Sequence, residues 1–402
     1  MSDIQVPIEK KKILVIAPTP FFSDRGTHIR ILEEALALEK LGHRVTIVTY
    51  HIGKDLPERL GSHIDIRRIR RLLFWYKKLE AGPDWQKIVL DLLLIKKTLF
   101  LARTTHPDVL HGHLHEGALI GWIVQKILFW RKMMLVCDFH GSLTKEMVSH
   151  SYLHASFLQQ IFEGVEKFID NLGDKAVTSS WTNREEIAKV RTKNAPLVLL
   201  DGTRLSMFEG LPSKDAIRKE YGIREGSIVV TYTGAFIKNK GIEHFLESIP
   251  IVAERYPSVQ FVLAGFPLDQ IEKDIPKHLD SRVTIISPLP YFELAKVLKM
   301  SDIGVDPKAG NTREASGKLL QYMGVGLANV CFDTENNREY LSSDGGSFAT
   351  EISGRGLADA IGRIVENPML LESYGRIARE RAKKFSWEKS AEELELIYNE
   401  TI

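Results

Sequence analysis

Cysteine is almost absent, with Cys137 and Cys331 the only two in 402 residues. They fall in different halves of the chain, each inside an apolar run that reads as a buried strand. This excludes a disulfide framework and fits a reducing compartment. A charge excess of either sign is also lacking, because 54 basic residues face 52 acidic ones and leave a net +2. That balance removes the global signature of a nucleic-acid binder, so no nucleic-acid partner is expected and any basic patch must be local. Long apolar runs are missing as well. After the polar stretch Met1 to Lys12, the run from Ile13 stops at Pro18, too short for a signal-peptide core or a membrane span. Ile88 to Leu101 is interrupted by Asp91, Lys96 and Lys97 and reads as a helix. The expectation is a cytoplasmic protein.

The chain is also too long for one compact core, and at 44% hydrophobic content it predicts two domains. Short apolar runs alternate with helical patterns through the first half: Ile13–Ala17, a helix over Thr27–Leu41, Arg44–Thr49, a helix over Trp85–Arg103, Met133–Asp138 and Ala176–Ser179 among them. The pattern pauses in the polar stretch Asp201–Ser213 and restarts with Ile228–Thr233, Val259–Ala264, Ile303–Val305 and Ala328–Phe332. Alternation of this kind predicts two α/β domains, each a doubly wound parallel sheet, meeting near residue 205. Sheets of this type bind ligands at the C-terminal ends of their strands.

Several strand-end segments carry chemistry. The loop Pro18–Gly26 delivers Gly26 and Thr27 to a helix start, where first-turn N–H groups suit a phosphate or a sugar oxygen; a plain turn with Thr27 as N-cap is the alternative. Met133–Asp138 runs into His140, an imidazole at a strand mouth that can hydrogen-bond a sugar hydroxyl. His111, His113 and His115 alternate after another strand. Zinc-like spacing and nearby cysteines are lacking, so they read as polar strand-end residues lining a cleft, with no metal. In the second half, Gly234 opens a loop in which Lys240 precedes the helix-starting Gly241. That lysine is placed to neutralise a diphosphate, whereas Lys238 reads as a solvated loop residue. Ser316 and Gly317 begin another helix whose first-turn amides, with Lys318, would meet an anion. Glu314 just ahead suits sugar hydroxyls, and Gln321 suits a ribose hydroxyl.

These segments, with Asp201-Gly202-Thr203-Arg204, Ala264-Gly265 and Ser301-Asp302-Ile303, resemble the retaining glycosyltransferases of family 4 over nearly the whole chain. The resemblance implies the GT-B architecture: a Rossmann-like acceptor domain over 1–205, a Rossmann-like nucleotide-sugar domain over 206–385, and a final helix, 386–402, packed back on the first domain. It implies transfer of a hexosyl group from a nucleotide-diphospho-sugar with retention, no protein nucleophile and no cofactor. His140, Lys240 and Glu314 would serve the reaction centre, and Gly26, Thr27, Gly234, Ser316, Gly317, Lys318 and Gln321 the donor. No Asp-x-Asp triplet occurs in the chain, which disfavours the metal-dependent alternative fold of glycosyltransferases. Three positions depart from the family pattern. Ala235 stands where an arginine is common, Glu314 is displaced by one position from the first of two spaced glutamates, and Gln321 replaces the second. The rival readings are an epimerase or sugar phosphorylase of the same fold and a non-catalytic sugar-nucleotide binding protein or membrane adaptor.

On the acceptor side, Arg67 to Lys78 holds six basic residues around Leu72, Leu73, Phe74, Trp75 and Tyr76. As a helix it would put Leu72, Trp75, Tyr76 and Leu79 on one face and Arg67, Arg70, Arg71, Lys77 and Lys78 on the other, a design for an anionic membrane surface or a lipid-linked acceptor. A solvated basic edge is the alternative.

Overall fold

The computed structural model describes residues 9–79, 84–149, 156–237, 240–271, 273–309 and 316–400. Two compact units emerge, residues 1–200 with 387–402, and residues 201–386. In the first, β1 (Lys12–Ala17), α1 (Gly26–Lys40), β2 (Arg44–Thr49), β3 (Asp65–Arg68), α2 (Trp85–Thr105), β4 (Val109–His113) and α3 (Leu114–Ile127) follow in turn. They continue into β5 (Met134–Phe139), α4 (Leu143–Ser149), α5 (Ser156–Asp170), β6 (Lys175–Thr178), α6 (Trp181–Val190) and β7 (Leu197–Val198). The strands form one parallel sheet in the order β3-β2-β1-β4-β5-β6-β7. Every residue of β4 and β5 is buried. Burial on both faces is why Met134–Cys137 reads as a continuous apolar run, whereas β4 carries two buried histidines, His111 and His113.

The second unit contains α7 (Lys214–Glu220), β8 (Ile228–Ala235), α8 (Ile242–Arg255), β9 (Val259–Phe266), β10 (Val283–Ile286), α9 (Leu294–Met300), β11 (Ile303–Asp306) and α10 (Gly317–Val325). It closes with β12 (Ala328–Phe332), α11 (Glu335–Leu341), β13 (Gly346–Ala349), α12 (Gly354–Val365) and α13 (Pro368–Ala382). Its parallel sheet has the order β10-β9-β8-β11-β12-β13, and its core gathers Tyr232, Phe245, Phe261, Val305 and Val330. In each sheet the connections leave in opposite directions between two adjacent strands, β1 and β4 in one, β8 and β11 in the other. Such a switch point opens a crevice at the strand C-termini.

The last helix, α14 (Trp387–Asn399), belongs to the first unit, as the GT-B resemblance implies. Its apolar stripe, Trp387, Ala391, Leu394, Ile397 and Tyr398, is buried. Glu395 meets His43 at 3.0 Å and Lys10 at 2.6 Å, and the Tyr398 hydroxyl lies 2.6 Å from His111 Nδ1.

The structure departs from the sequence expectation in three places. Strands β3 and β13 are short and partly polar, so no apolar run announces them. Residues 69–79 are a loop, not a helix. Ile69, Leu73 and Tyr76 turn into the core while Leu72, Phe74, Trp75 and Leu79 stay outside, so the expected helical face does not form.

Candidate functional site

At the switch point of the first sheet, the β1–α1 loop brings Gly26 and Thr27 into the first turn of α1. Arg25, extended, occupies the cap position, and no side chain caps the turn. Thr27 is therefore not the N-cap, because the helix begins one residue earlier. A side chain added at Gly26 would meet nothing within 4 Å, so the turn opens onto free space. His28 folds back under the loop, where its Nδ1 accepts the Ser23 backbone N–H at 3.0 Å and lies 2.6 Å from the Ser23 hydroxyl. Burial, with Arg25 close by, pushes the His28 pKa down to about 4. Its proximity to His140 adds to that shift. No periodicity or motif in the sequence points to His28.

The strand β5 ends at Asp138 and Phe139, and His140 follows at the mouth as expected. Its side chain is 11% exposed and its Nε2 lies 3.0 Å from His113 Nδ1. Behind this pair lies a buried charge cluster that the sequence did not reveal. Arg30 reaches Asp138 Oδ2 through Nε and Nη2, both at 3.1 Å, and Glu34 Oε1 at 3.0 Å, and donates to the Leu199 carbonyl at 3.0 Å. Burial alone would raise the Asp138 pKa. The Arg30 guanidinium, then His140, His111 and His113, outweigh it and hold the carboxyl well below its usual range. Burial, with His111 beside it, pushes His113 down to about 3.

The alternating histidines thus differ from the expectation. His111, His113 and His115 are 1%, 1% and 4% exposed and do not line a surface. The reason is that β4 extends through His113, so His111 and His113 share one interior face, stacked with ring centroids 4.5 Å apart. His115 turns toward Asp170 at 3.4 Å. Glu34, His111, His113 and Asp138 offer ligand atoms within 4.8 Å of one another, but the Arg30 guanidinium already lies against both carboxylates, so the donor set is committed to an ion-pair cluster.

In the second unit the switch point lies between β8 and β11. Lys240 stands in the turn after β8, its N–H bonded to the Ile237 carbonyl at 2.9 Å and its side chain partly exposed. Gly241 has φ 74°, and a Cβ there would sit 1.9 Å from the Pro307 carbonyl oxygen. Glycine is what lets this turn touch the segment after β11. Gly234, at φ 119°, leaves just enough room for Lys318, whose Cδ would lie 3.4 Å from a Cβ at that position. Lys318 Nζ lies 3.5 Å from Asp306 Oδ1 and 5.0 Å from the centroid of the Tyr232 ring. Burial lowers the Lys318 pKa against the raising effect of Asp306. Among the described residues, Ser316, the cap residue of α10, makes no capping hydrogen bond, and a Cβ at Gly317 would meet nothing within 4 Å. First-turn amides of this kind suit an anion. The structure brings Gly234, Lys318 and the Ser316–Gly317 turn to one switch point.

Gln321 is placed differently from the expectation. It is 6% exposed, and its Oε1 accepts the Thr203 hydroxyl at 3.1 Å. The helix is buried from Leu319 to Gly324, so a residue one turn in has no open face. Glu314 lies outside the described residues.

The basic aromatic segment is exposed as a loop. Arg67, paired with Asp65 at 2.7 Å, lies in β3, and Arg70, Arg71 and Lys77 are exposed with Phe74 and Trp75, while Lys78 is partly so. Trp85, Ile88 and Leu92 of α2 continue the apolar exposure. Among the described residues no helix is long and apolar enough to cross a membrane.

Comparison with known proteins places this geometry in context. Residues 25–200 match the family described as Glycosyltransferase Family 4, and residues 227–367 match Glycosyl transferases group 1. The chain is 27% identical over 317 residues to a D-inositol 3-phosphate glycosyltransferase of Corynebacterium jeikeium, covering 73% of this chain and 72% of that one. It is 22% identical over 404 residues to a phosphatidyl-myo-inositol mannosyltransferase of Mycolicibacterium smegmatis, covering 96% and 93%. Among solved structures, Anabaena Alr3699/HepE in complex with UDP and glucose superposes with a TM-score of 0.73 at 16% identity, covering 97% of this chain and all of that one.

Proposed function

Because the chain belongs to glycosyltransferase family 4, the group 1 glycosyltransferases of GT-B architecture, we propose that it is a cytoplasmic enzyme that moves a hexosyl group from a nucleotide-diphospho-sugar to an acceptor with retention at the anomeric carbon. The observation that carries the donor assignment is the convergence at the second switch point of an uncapped helix start, an open Gly317 and the Lys318 ammonium beneath Gly234. A pyrophosphate supplies the charge that such a site lacks. Proteins named for a UDP and glucose complex, for D-inositol 3-phosphate and for phosphatidyl-myo-inositol support the substrate classes.

Breaking the anomeric bond leaves positive charge on the sugar and negative charge on the departing diphosphate. Lys240, Lys318 and the first-turn amides of α10 stabilise that leaving group, and binding draws the Lys318 ammonium from Asp306 toward the phosphate. By the family resemblance Gly26, Thr27 and His140 are assigned to substrate binding by the first unit, and Glu314 to the hydroxyls of the donor sugar. No cofactor or divalent metal is assigned, since the cations and amides supply the charge that a metal would. Ala235 adds no cation, so Lys240 and Lys318 carry a larger share of the stabilisation. The acceptor is a lipid-linked molecule met at an anionic membrane surface through the exposed 67–79 segment.

The test is a calorimetric and thermal-shift series with UDP, GDP and ADP, followed by nucleoside diphosphate release with and without candidate acceptors. One diphosphate raises the melting temperature of the native protein, and Lys240→Ala lowers turnover by about tenfold or more. Absence of binding by all three diphosphates would overturn the reading, and release that needs no acceptor would point to epimerisation or hydrolysis.

A further inference from the structure

We propose that His113 positions His140: anchored on Asp138, it donates Nδ1–H to His140 Nε2, so that His140 carries its own proton on Nδ1 and presents that N–H at the sheet mouth. The assignment follows from what each neighbour can accept. His113 Nδ1 faces two groups at once, Asp138 Oδ2 at 3.3 Å and His140 Nε2 at 3.0 Å. An ionised carboxylate only accepts hydrogen bonds. A bare Nδ1 on His113 would set a lone pair against Asp138 inside a buried cluster, where an unpaired polar contact costs most. The proton therefore lies on His113 Nδ1, which stands closer to the carboxylate than His140 Nε2 does, at 3.3 against 3.7 Å, and is donated to the neighbouring ring. His140 Nε2 must then be the acceptor.

The rest of the cluster is built to hold this arrangement. Asp138 is oriented by two Arg30 nitrogens, and the His113 ring is stacked on His111, which the Tyr398 hydroxyl holds from the other side at 2.6 Å. Glu34 Oε2 stands 3.8 Å from His113 Nε2, beyond hydrogen-bond range, which is compatible with a bare nitrogen there. On the outer side, His28 of α1 is a titratable neighbour of His140, alongside Arg30 and Glu34 of the same helix further in. His140 Nδ1 has no hydrogen-bond partner among the described residues, so its proton points to whatever occupies the mouth. Leu114, directly after His113, has φ 62°, a left-handed backbone region unfavourable to a leucine. That strained turn starts α3 immediately and ends the strand on His113.

The value of this device rests on the reading of His140 as a group that holds the donor sugar, but the tautomer can be read without any ligand. Long-range proton–nitrogen NMR on the full chain labelled at histidine should show His140 with a bare Nε2 and a protonated Nδ1. In His113→Leu that pattern should give way to the commoner Nε2–H tautomer. In His113→Asn, whose amide nitrogen falls near the old Nδ1, the wild-type pattern should return. In the transfer assay, kcat should fall about tenfold in His113→Leu with KM nearly unchanged, and recover in His113→Asn. A protonated Nε2 on His140 in the wild type overturns the proposal, as does a tautomer indifferent to residue 113. If His113→Leu does not fold, the wild-type spectrum and His113→Asn still decide. A correct tautomer in a protein that binds no nucleoside diphosphate would sink the proposed function and leave this assignment standing.

Discussion

Replacing His28 by asparagine should remove part of the acid lability of the first unit. In the folded chain burial holds the His28 pKa at about 4, whereas an unfolded histidine titrates near 6.5. Between those values the unfolded chain binds a proton that the folded one refuses, so stability falls as the pH falls through that window. Above about pH 6.5 both states are neutral and the term vanishes. At about pH 4.5 the linkage relation gives a loss of about 2.5 kcal/mol, against almost nothing at about pH 7.5. Asparagine keeps an acceptor for the Ser23 N–H, which His28 Nδ1 accepts at 3.0 Å, but cannot titrate. Urea unfolding at the two pH values, followed by hydrogen exchange at the amides of β1, β4 and β5, measures the difference. The wild type should lose about 2.5 kcal/mol more than the variant on acidification. His113 acts in the same direction, and Asp138, whose pKa is depressed, adds its own loss at still lower pH, so the variant stays acid-sensitive. Parallel pH profiles for the two proteins would refute the argument.

Arg30→Met should destabilise the first unit by about 3–5 kcal/mol, because it strands the buried Asp138 and Glu34 carboxylates without their shared cation. The urea midpoint checks it, and a shift within about 0.5 kcal/mol would mean the cluster is solvated. A Phe74→Ser, Trp75→Ser double variant should lose co-sedimentation with vesicles containing anionic lipid at low salt, since both side chains are more than half exposed. Equal recovery of wild type and variant in the pellet would remove the membrane role of this loop.

Much of the frame was legible because parallel strands buried on both faces must be apolar throughout. Ala328–Phe332, buried at every residue, coincides with the run read from the sequence, and the domain pattern follows from the alternation of such runs with helices. The strand ends that carry His140 and Gly234 were legible for the same reason, and the helix start that carries Lys318 from its Ser316-Gly317 pair. A strand's end is marked locally, by the glycine or polar residue that stops the apolar run. The segment 69–79 misled because its composition permits an amphipathic helix, and only contact with the core decides that Leu73 and Tyr76 turn inward from a loop.

Local pattern therefore determined where most strands lie, which helices start near a glycine, and which lysines stand near a helix start, since each depends on a few consecutive residues. Tertiary structure decided the partners. Arg30 and Asp138 are 108 positions apart and Tyr398 and His111 are 287 apart, and no spacing within one segment encodes such a meeting. It exists because α1, β4, β5 and the returning C-terminal helix pack around one interior, where charge is tolerated only in the company of its opposite.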